Sequence, residues 1–220
     1  LNNLKSTSDT EVVLELFEKY GVKIIPEFNG MFAFSILDRV EKKVFLVRDR
    51  MGIKPLYVHK DKSALYFGSE IKAIKELHEN NESKMDVGNL HEWLYYGSTL
   101  GENTLFRDIK RLLPGHYIEI DLQTLKSIDI CYWSPSPPTV KRASTEELIK
   151  KNTILLERAV KRQLVSDVPV GVFLSGGIDS SAIASFASKH YGNQLSTYTV
   201  GFDFDRGVNE LPKAREFAKK

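Results

Sequence analysis

Val168-Pro-Val-Gly-Val-Phe-Leu-Ser-Gly-Gly-Ile-Asp-Ser-Ser181 is the stretch whose reading decides the fold. Val170 to Leu174 is a short apolar run of the kind that lies buried on both faces of a parallel sheet. It stops at Ser175-Gly176-Gly177. Ile183, Phe186, Ala187 and Tyr191 then recur at helical spacing, which predicts a helix from about Asp179, with Gly192 as a left-handed cap. Leu195 to Phe202 reads as a second strand. Strand, glycine loop, helix and strand make a parallel unit with a right-handed crossover.

The chemistry follows from the loop. Adjacent glycines let backbone N–H groups approach an anion closely, and a helix start adds unpaired N–H groups and a partial positive charge. Ser175, Ser180 and Ser181 add hydroxyl donors, which completes a phosphate cradle. Asp179, a carboxylate beside phosphates, suits Mg²⁺. Gly177→Ala is expected to damage the cradle, because a Cβ would block backbone approach or meet a positive φ. No Gly-Lys-Ser/Thr follows the glycines, so this is not a Walker A loop. Phe173 stands where a nucleophile elbow needs its first glycine. A bare Gly-Gly would serve equally as a tight strand-to-helix turn capped by Asp and Ser.

Outward from this stretch, the composition is that of an ordinary globular protein: 220 residues, 42% hydrophobic and 27% charged. A net charge of +2 does not argue for nucleic acid or an anionic membrane as partner. No apolar run has the length to span a bilayer. The single cysteine, Cys131, cannot form an internal disulfide and fits a reducing cytoplasm. Its setting, Ile130-Cys-Tyr-Trp133, predicts a packed, inert thiol. Leu1 is not Met, and Ala218-Lys-Lys220 lies inside an apparent helix, so both ends read as cut.

Ser8-Asp-Thr-Glu11 reads as a capping box opening a helix that carries Val12, Val13, Leu16 and Phe17 and ends at Gly21. By itself Asp9 is an acidic first-turn residue suited to the helix dipole. Met31 to Leu37, Val44 to Val47, Leu56 to His59 and Ala64 to Gly68 read as antiparallel strands, the last two as a hairpin. Arg48, Asp49 and Arg50 are either a structural ion-pair cluster or an anion site. Asp86 caps a helix through Leu90, Trp93 and Leu94, and Tyr117 to Leu122 alternates as a strand. Trp133-Ser-Pro-Ser-Pro-Pro138 is an extended connection between domains. Ser144-Thr-Glu-Glu147 is a second capping box; the helix it opens is expected to bury Leu148, Leu155, Ala159 and Val160 and to solvate Lys150, Lys151, Arg158, Lys161 and Arg162.

Ser175-Gly-Gly-Ile-Asp-Ser-Ser181 resembles the pyrophosphate loop of the ATP pyrophosphatase (PP-loop) family. Ser166-Asp-Val-Pro-Val-Gly-Val-Phe-Leu174 ahead of it resembles the asparagine synthetase family. Ser8-Asp-Thr-Glu11, Asn29-Gly-Met-Phe-Ala-Phe34, Arg48-Asp-Arg-Met-Gly-Ile-Lys-Pro-Leu-Tyr57 and Phe67-Gly-Ser-Glu-Ile-Lys-Ala73 resemble the later part of a class II glutamine amidotransferase domain. Thr104 to Tyr117 resembles the end of that domain. The resemblance implies a mixed α+β and α/β chain. Residues 1–135 would be a partial Ntn-type layered antiparallel β domain. Residues 136–220 would be the start of a parallel-sheet PP-loop domain, adenine nucleotide alpha hydrolase-like.

The same resemblance implies a reaction in two halves. Glutamine is hydrolysed to glutamate and ammonia in the first domain. Aspartate is adenylated by ATP in the second, and ammonia displaces AMP to give asparagine. Asp9 would hold the amino group of glutamine, a carboxylate facing an ammonium. Ser175, Gly176, Gly177, Asp179, Ser180 and Ser181 would hold pyrophosphate, Asp179 through Mg²⁺, and the backbones of Leu174 and Val200 would line the adenine pocket. Glutamine, aspartate and ATP are the implied partners, with no nucleic acid and no membrane, in a cytoplasmic homodimer of the full-length protein. The family's nucleophile is an N-terminal cysteine, absent here. No catalytic residue is therefore assigned for glutamine hydrolysis, and these residues are expected to be inactive as a glutaminase. Relatives that amidate another carboxylate or a sugar-linked substrate share these motifs, as would a non-catalytic ATP-binding fragment.

Overall fold

The computed structural model describes residues 4–77, 84–137, 143–192, 194–201 and 209–219. Two compact units divide the chain, Leu1–Pro137 and Pro138–Lys220. Pro138, Phe202 and Lys220, which bound features expected from the sequence, lie outside the described residues.

The first unit opens with helix α1, Asp9–Tyr20, whose N-terminus is capped by the Ser8 hydroxyl accepting from Thr10 N–H. The capping box expected here does not close. Glu11 reaches back past Ser8 and accepts from the N–H groups of Lys5 and Ser6, each at 2.7 Å, and from the Ser6 hydroxyl. The Lys5 N–H and the Ser6 hydroxyl hold its carboxyl below the usual range. Gly21, at φ 59, ends α1 and begins a 3-10 helix, Gly21–Glu27.

Seven strands follow: β1 Ala33–Asp38, β2 Lys43–Arg48, β3 Tyr57–Lys60, β4 Leu65–Gly68, β5 Ile109–Arg111, β6 His116–Asp121 and β7 Ser127–Cys131. They form two antiparallel sheets, ordered β1-β2-β6-β7 and β4-β3-β5. Helices α2, Ile71–Leu77, and α3, Val87–Tyr96, lie between β4 and β5 in the chain; α3 is capped by Asp86. Alternation along β2 assigns the layers, because successive side chains point to opposite faces. Phe45 and Val47 pack with Ile36 and Tyr117 against Phe17 of α1 and Ile25 of the 3-10 helix. Leu46 turns the other way, with Ile120, against Leu56 and Leu112 below the second sheet. Burying each such side chain stabilises the unit by about 1.5–3 kcal/mol.

β7 is an edge strand, and Ser127, Asp129 and Cys131 on one of its faces are all exposed. Cys131 is therefore not the packed thiol expected; it donates only to the Trp133 carbonyl, at 3.3 Å. The exit from this sheet is anchored at Gly115, φ 71. Its carbonyl accepts from Tyr132 and Trp133 N–H at 2.9 and 3.1 Å, and its own N–H donates to the Asp49 carbonyl. A Cβ on Gly115 would collide with the Trp133 carbonyl oxygen, so only glycine fits.

The second unit contains α4 Thr145–Gln163, β8 Gly171–Phe173, α5 Ile178–His190, β9 Ser196–Tyr198 and α6 Leu211–Ala218. Strands β8 and β9 are parallel neighbours with Val172 opposite Thr197, and α5 is the crossover between them. The Ser144–Glu147 capping box on α4 closes in both directions. Leu174, Ala184 and Ala214 form the core, with Val172 and Phe217 against them.

Three expectations fail in this unit. Strand β8 is not buried on both faces: Phe173 is 79% exposed, because the described sheet has two strands rather than the row of neighbours that double burial requires. Of the residues expected inside α4, only Val160 is buried; Leu148, Leu155 and Ala159 are exposed, since α5 covers only one stripe of the helix. Helix α5 ends at His190 with Tyr191 extended as its C-cap, so Gly192 is not a left-handed cap. Among the described residues, no helix is long and apolar enough to cross a membrane.

Candidate functional site

The glycine loop sits at the carboxyl end of β8. Leu174 is buried and fixed to β9 from both sides: its N–H donates to the Tyr198 carbonyl at 2.8 Å and its carbonyl accepts from the Thr199 hydroxyl at 2.6 Å. This joins the ends of the two strands, which brings Leu174 beside the segment carrying the exposed Val200. The sequence reading placed Thr199 inside the strand expected over Leu195 to Phe202 and gave it no role; the observed strand ends at Tyr198.

Beyond Leu174, Ser175 and Ser180 bring their hydroxyl oxygens to 2.8 Å, and the Ser175 N–H also donates to Ser180 Oγ. Gly177 is the N-cap of α5, with no side-chain cap; its N–H donates to Ser175 Oγ at 3.3 Å. The first-turn N–H groups of Ile178, Asp179 and Ser180 have no carbonyl one turn earlier in the helix to bond. Asp179, in that turn, is exposed. Ser175, Gly176, Gly177, Asp179, Ser180 and Ser181 thus gather at one helix start.

The demand for glycine falls on a different residue from the one expected. Gly177 has φ −77, which any residue adopts, and a Cβ there would meet only Ser175 Oγ at 3.3 Å. Gly176 has φ +77. A Cβ on it would lie 2.7 Å from Lys213 Cβ and 2.9 Å from Ala214 N, so α6 packs directly on this glycine.

In the first unit, Asp9 is exposed at the start of α1 and lines a cleft of about 450 Å³ with Thr10, Val13, Phe32, Phe34, Lys54 and Ser69. One wall is set by the segment after β2. Asp49 is buried and its carboxylate accepts four backbone N–H groups, from Phe32, Met51, Ile53 and Lys54, at 3.0 to 3.2 Å. Arg48, also buried, donates to the carbonyls of Lys54, Gly52 and Leu112. Burial pushes the Arg48 guanidinium below its ordinary value, and Arg111 adds to this. Arg50 donates to the Pro26 carbonyl. Arg48 and Asp49 therefore form a structural frame that turns its charges onto backbone and fixes Lys54 at the cleft, whereas Arg50 Nε is buried without a hydrogen-bond partner among the described residues. Tyr132 closes the frame, donating to the Arg48 carbonyl at 2.7 Å.

Both units match known families in the same order. The chain belongs to the glutamine amidotransferase domain family, whose model matches residues 2–133. The asparagine synthase family model matches residues 152–220. Among curated proteins, the chain is similar to the glutamine-hydrolysing asparagine synthetase 2 of Bacillus subtilis, at 40% identity over 205 residues, covering 89% of this chain and 27% of that protein. It is similar to a putative asparagine synthetase 2 of Methanocaldococcus jannaschii at 34% identity, covering 89% of this chain and 38% of that protein. Amidase chyE of Penicillium rubens is 32% identical, covering 96% of this chain and 33% of that protein. The chain thus spans between 27% and 38% of the length of these relatives. A solved glutamine phosphoribosylpyrophosphate amidotransferase of B. subtilis, complexed with ADP and GMP, aligns with a TM-score of 0.40 and 14% identity, covering 96% of this chain and 45% of that one.

Proposed function

We propose that these residues are part of a glutamine-hydrolysing asparagine synthetase. In this reading residues 1–135 belong to its glutaminase domain and 136–220 open its ATP-pyrophosphatase domain. The observation that carries it is the succession of the two family matches in one chain, each over a unit with a fitting candidate site. Glutamine enters the cleft in the first unit, where the Asp9 carboxylate holds its ammonium group. ATP lies across the ends of β8 and β9. Its adenine is bounded by Leu174 and Val200. Because the Leu174 N–H is already bonded to Tyr198, Leu174 offers its carbonyl's second lone pair.

The pyrophosphate rests on Gly176, Gly177 and the first-turn N–H groups of α5, with hydroxyl donation from Ser175, Ser180 and Ser181. Those donors fit a leaving group that gains charge as it departs. Asp179 is one exposed carboxylate beside them, and among the described residues no cluster of three acidic, His or Cys side chains surrounds it. One carboxylate plus phosphate oxygens and water is a donor set that suits Mg²⁺, so Asp179 would hold the ion in company with the nucleotide. Bound there, Mg²⁺ would offset charge on the phosphates. The aspartate side chain attacks the α-phosphorus, pyrophosphate leaves, and ammonia displaces AMP from the acyl adenylate. The cytoplasm and a homodimeric full-length protein belong to the same proposal.

The test is ATP–pyrophosphate exchange in the complete protein. Exchange that depends on aspartate is expected. Exchange that requires a different carboxylate would overturn the asparagine product while leaving the phosphate loop in place. The similarity to amidase chyE favours that second reading, in which the same two domains serve another acceptor.

A further inference from the structure

We infer that Lys213, at the start of α6, is a phosphate ligand of the glycine loop, supplying the cation that the loop itself lacks. The inference rests on the proposed reading of that loop. Ser175 to Ser181 carry three hydroxyls, two glycines, one isoleucine and one carboxylate, so the segment's only formal charge is negative. Pyrophosphate brings several negative charges to it. Loops of the Walker A type answer this demand with a lysine of their own, which this loop does not have. The fold brings one from elsewhere. Gly176 is held at φ +77, and its vacant Cβ direction points at Lys213, whose Cβ lies 2.7 Å from where a side chain would begin. That close approach is possible only because Gly176 has no side chain. It sets the root of the lysine against the loop. The side chain is exposed, and among the described residues Lys213 has no ion-pair partner. Its flexible four-carbon stem lets the ammonium swing over the loop onto a phosphate oxygen. Leu211 secures the same end of α6 against Gly201, just after β9, so the helix start is held at both strand ends.

The test is calorimetric titration of inorganic pyrophosphate into the 220-residue chain at fixed Mg²⁺ and low salt. Lys213→Ala, Lys213→Glu and Lys213→Arg are compared with Lys150→Ala on the exposed side of α4. Lys213→Ala is expected to weaken binding about tenfold, the size of one charge-assisted contact, with an unchanged unfolding midpoint. Lys213→Glu should weaken it further, Lys213→Arg should largely retain it, and Lys150→Ala should bind like the parent. Parent and Lys213→Ala binding pyrophosphate equally would overturn the inference and leave the loop's phosphate role standing. A folded parent that binds no pyrophosphate would overturn both. Equal losses in Lys213→Ala and Lys150→Ala would reduce the effect to net charge and remove Lys213 as a ligand.

Discussion

At residue scale the sharpest contrast is between two adjacent glycines. Gly176→Ala must place a Cβ against the backbone of α6 at a φ that L residues avoid, and should destabilise the second unit by about 2–4 kcal/mol. Gly177→Ala meets only the movable Ser175 hydroxyl and should cost under about 1 kcal/mol. Urea denaturation of both variants checks this, and equal losses would contradict it. The sequence marked the pair, but only backbone geometry separates them. Asp49→Asn should also be costly, at about 2–4 kcal/mol. One carboxylate oxygen that accepts two N–H groups would become a donor facing them. Tyr132 offers a pH test. Burial, with the nearby Asp49 charge second, pushes its hydroxyl up to about 12 from 10.0. Between those values the unfolded chain ionises and the folded one does not. Stability from this group is therefore complete below about pH 10 and lost as pH rises toward 12. Denaturant midpoints should fall over that range, and Tyr132→Phe should flatten the fall.

At the scale of elements, α4 and α5 are joined by one carboxylate. Glu157 accepts from Lys189 Nζ at 2.7 Å and His190 Nε2 at 2.8 Å. The hydrogen bond from Lys189, then that from His190, holds the Glu157 carboxyl below its ordinary 4.5. Its contribution is present above that value and disappears as pH falls through the depressed folded value. Glu157→Gln should therefore make the stability of the second unit less steep in acid, as read by circular dichroism across pH 3–6. A slope identical to that of the parent would remove this link. Helix starts and strand alternation were legible in the sequence because they are local: Ser144, Asp86 and the alternating β2 are set by neighbours in the chain. Burial of α4 and β8 was not legible, since apolar spacing states which stripe could be covered and not what is present to cover it. Ser8 caps α1 as expected, but the reciprocal half of its capping box failed for a similar reason: Glu11 had nearer N–H groups in Lys5 and Ser6 than the helix pattern alone reveals.

For the whole molecule, the cleft proposed to take glutamine has no thiol among the residues that line it. Cys131 is the sole cysteine, it lies exposed on β7, and it is not among the residues lining the cleft. An ammonia-release assay on these 220 residues with glutamine should show no turnover above background; measurable hydrolysis would require another nucleophile. That the glycine loop leads into a helix and that Asp9 opens α1 were legible because short local strings set both positions. The frame of Arg48 and Asp49 left two readings open, since sequence does not show whether a charge faces backbone or ligand. The Gly115 anchor carries a mechanical consequence. Chain leaving the first unit toward the second departs just past Trp133, so tension on that connection loads the two bonds to the Gly115 carbonyl before it reaches the β6–β7 ladder. Pulled from that end, β7 would peel like a zipper, one rung at a time, from the His116–Cys131 pair onward. The grip of the unit on its tether is set at this clasp and at the Tyr132 hydroxyl on the Arg48 carbonyl, however deep the core behind them.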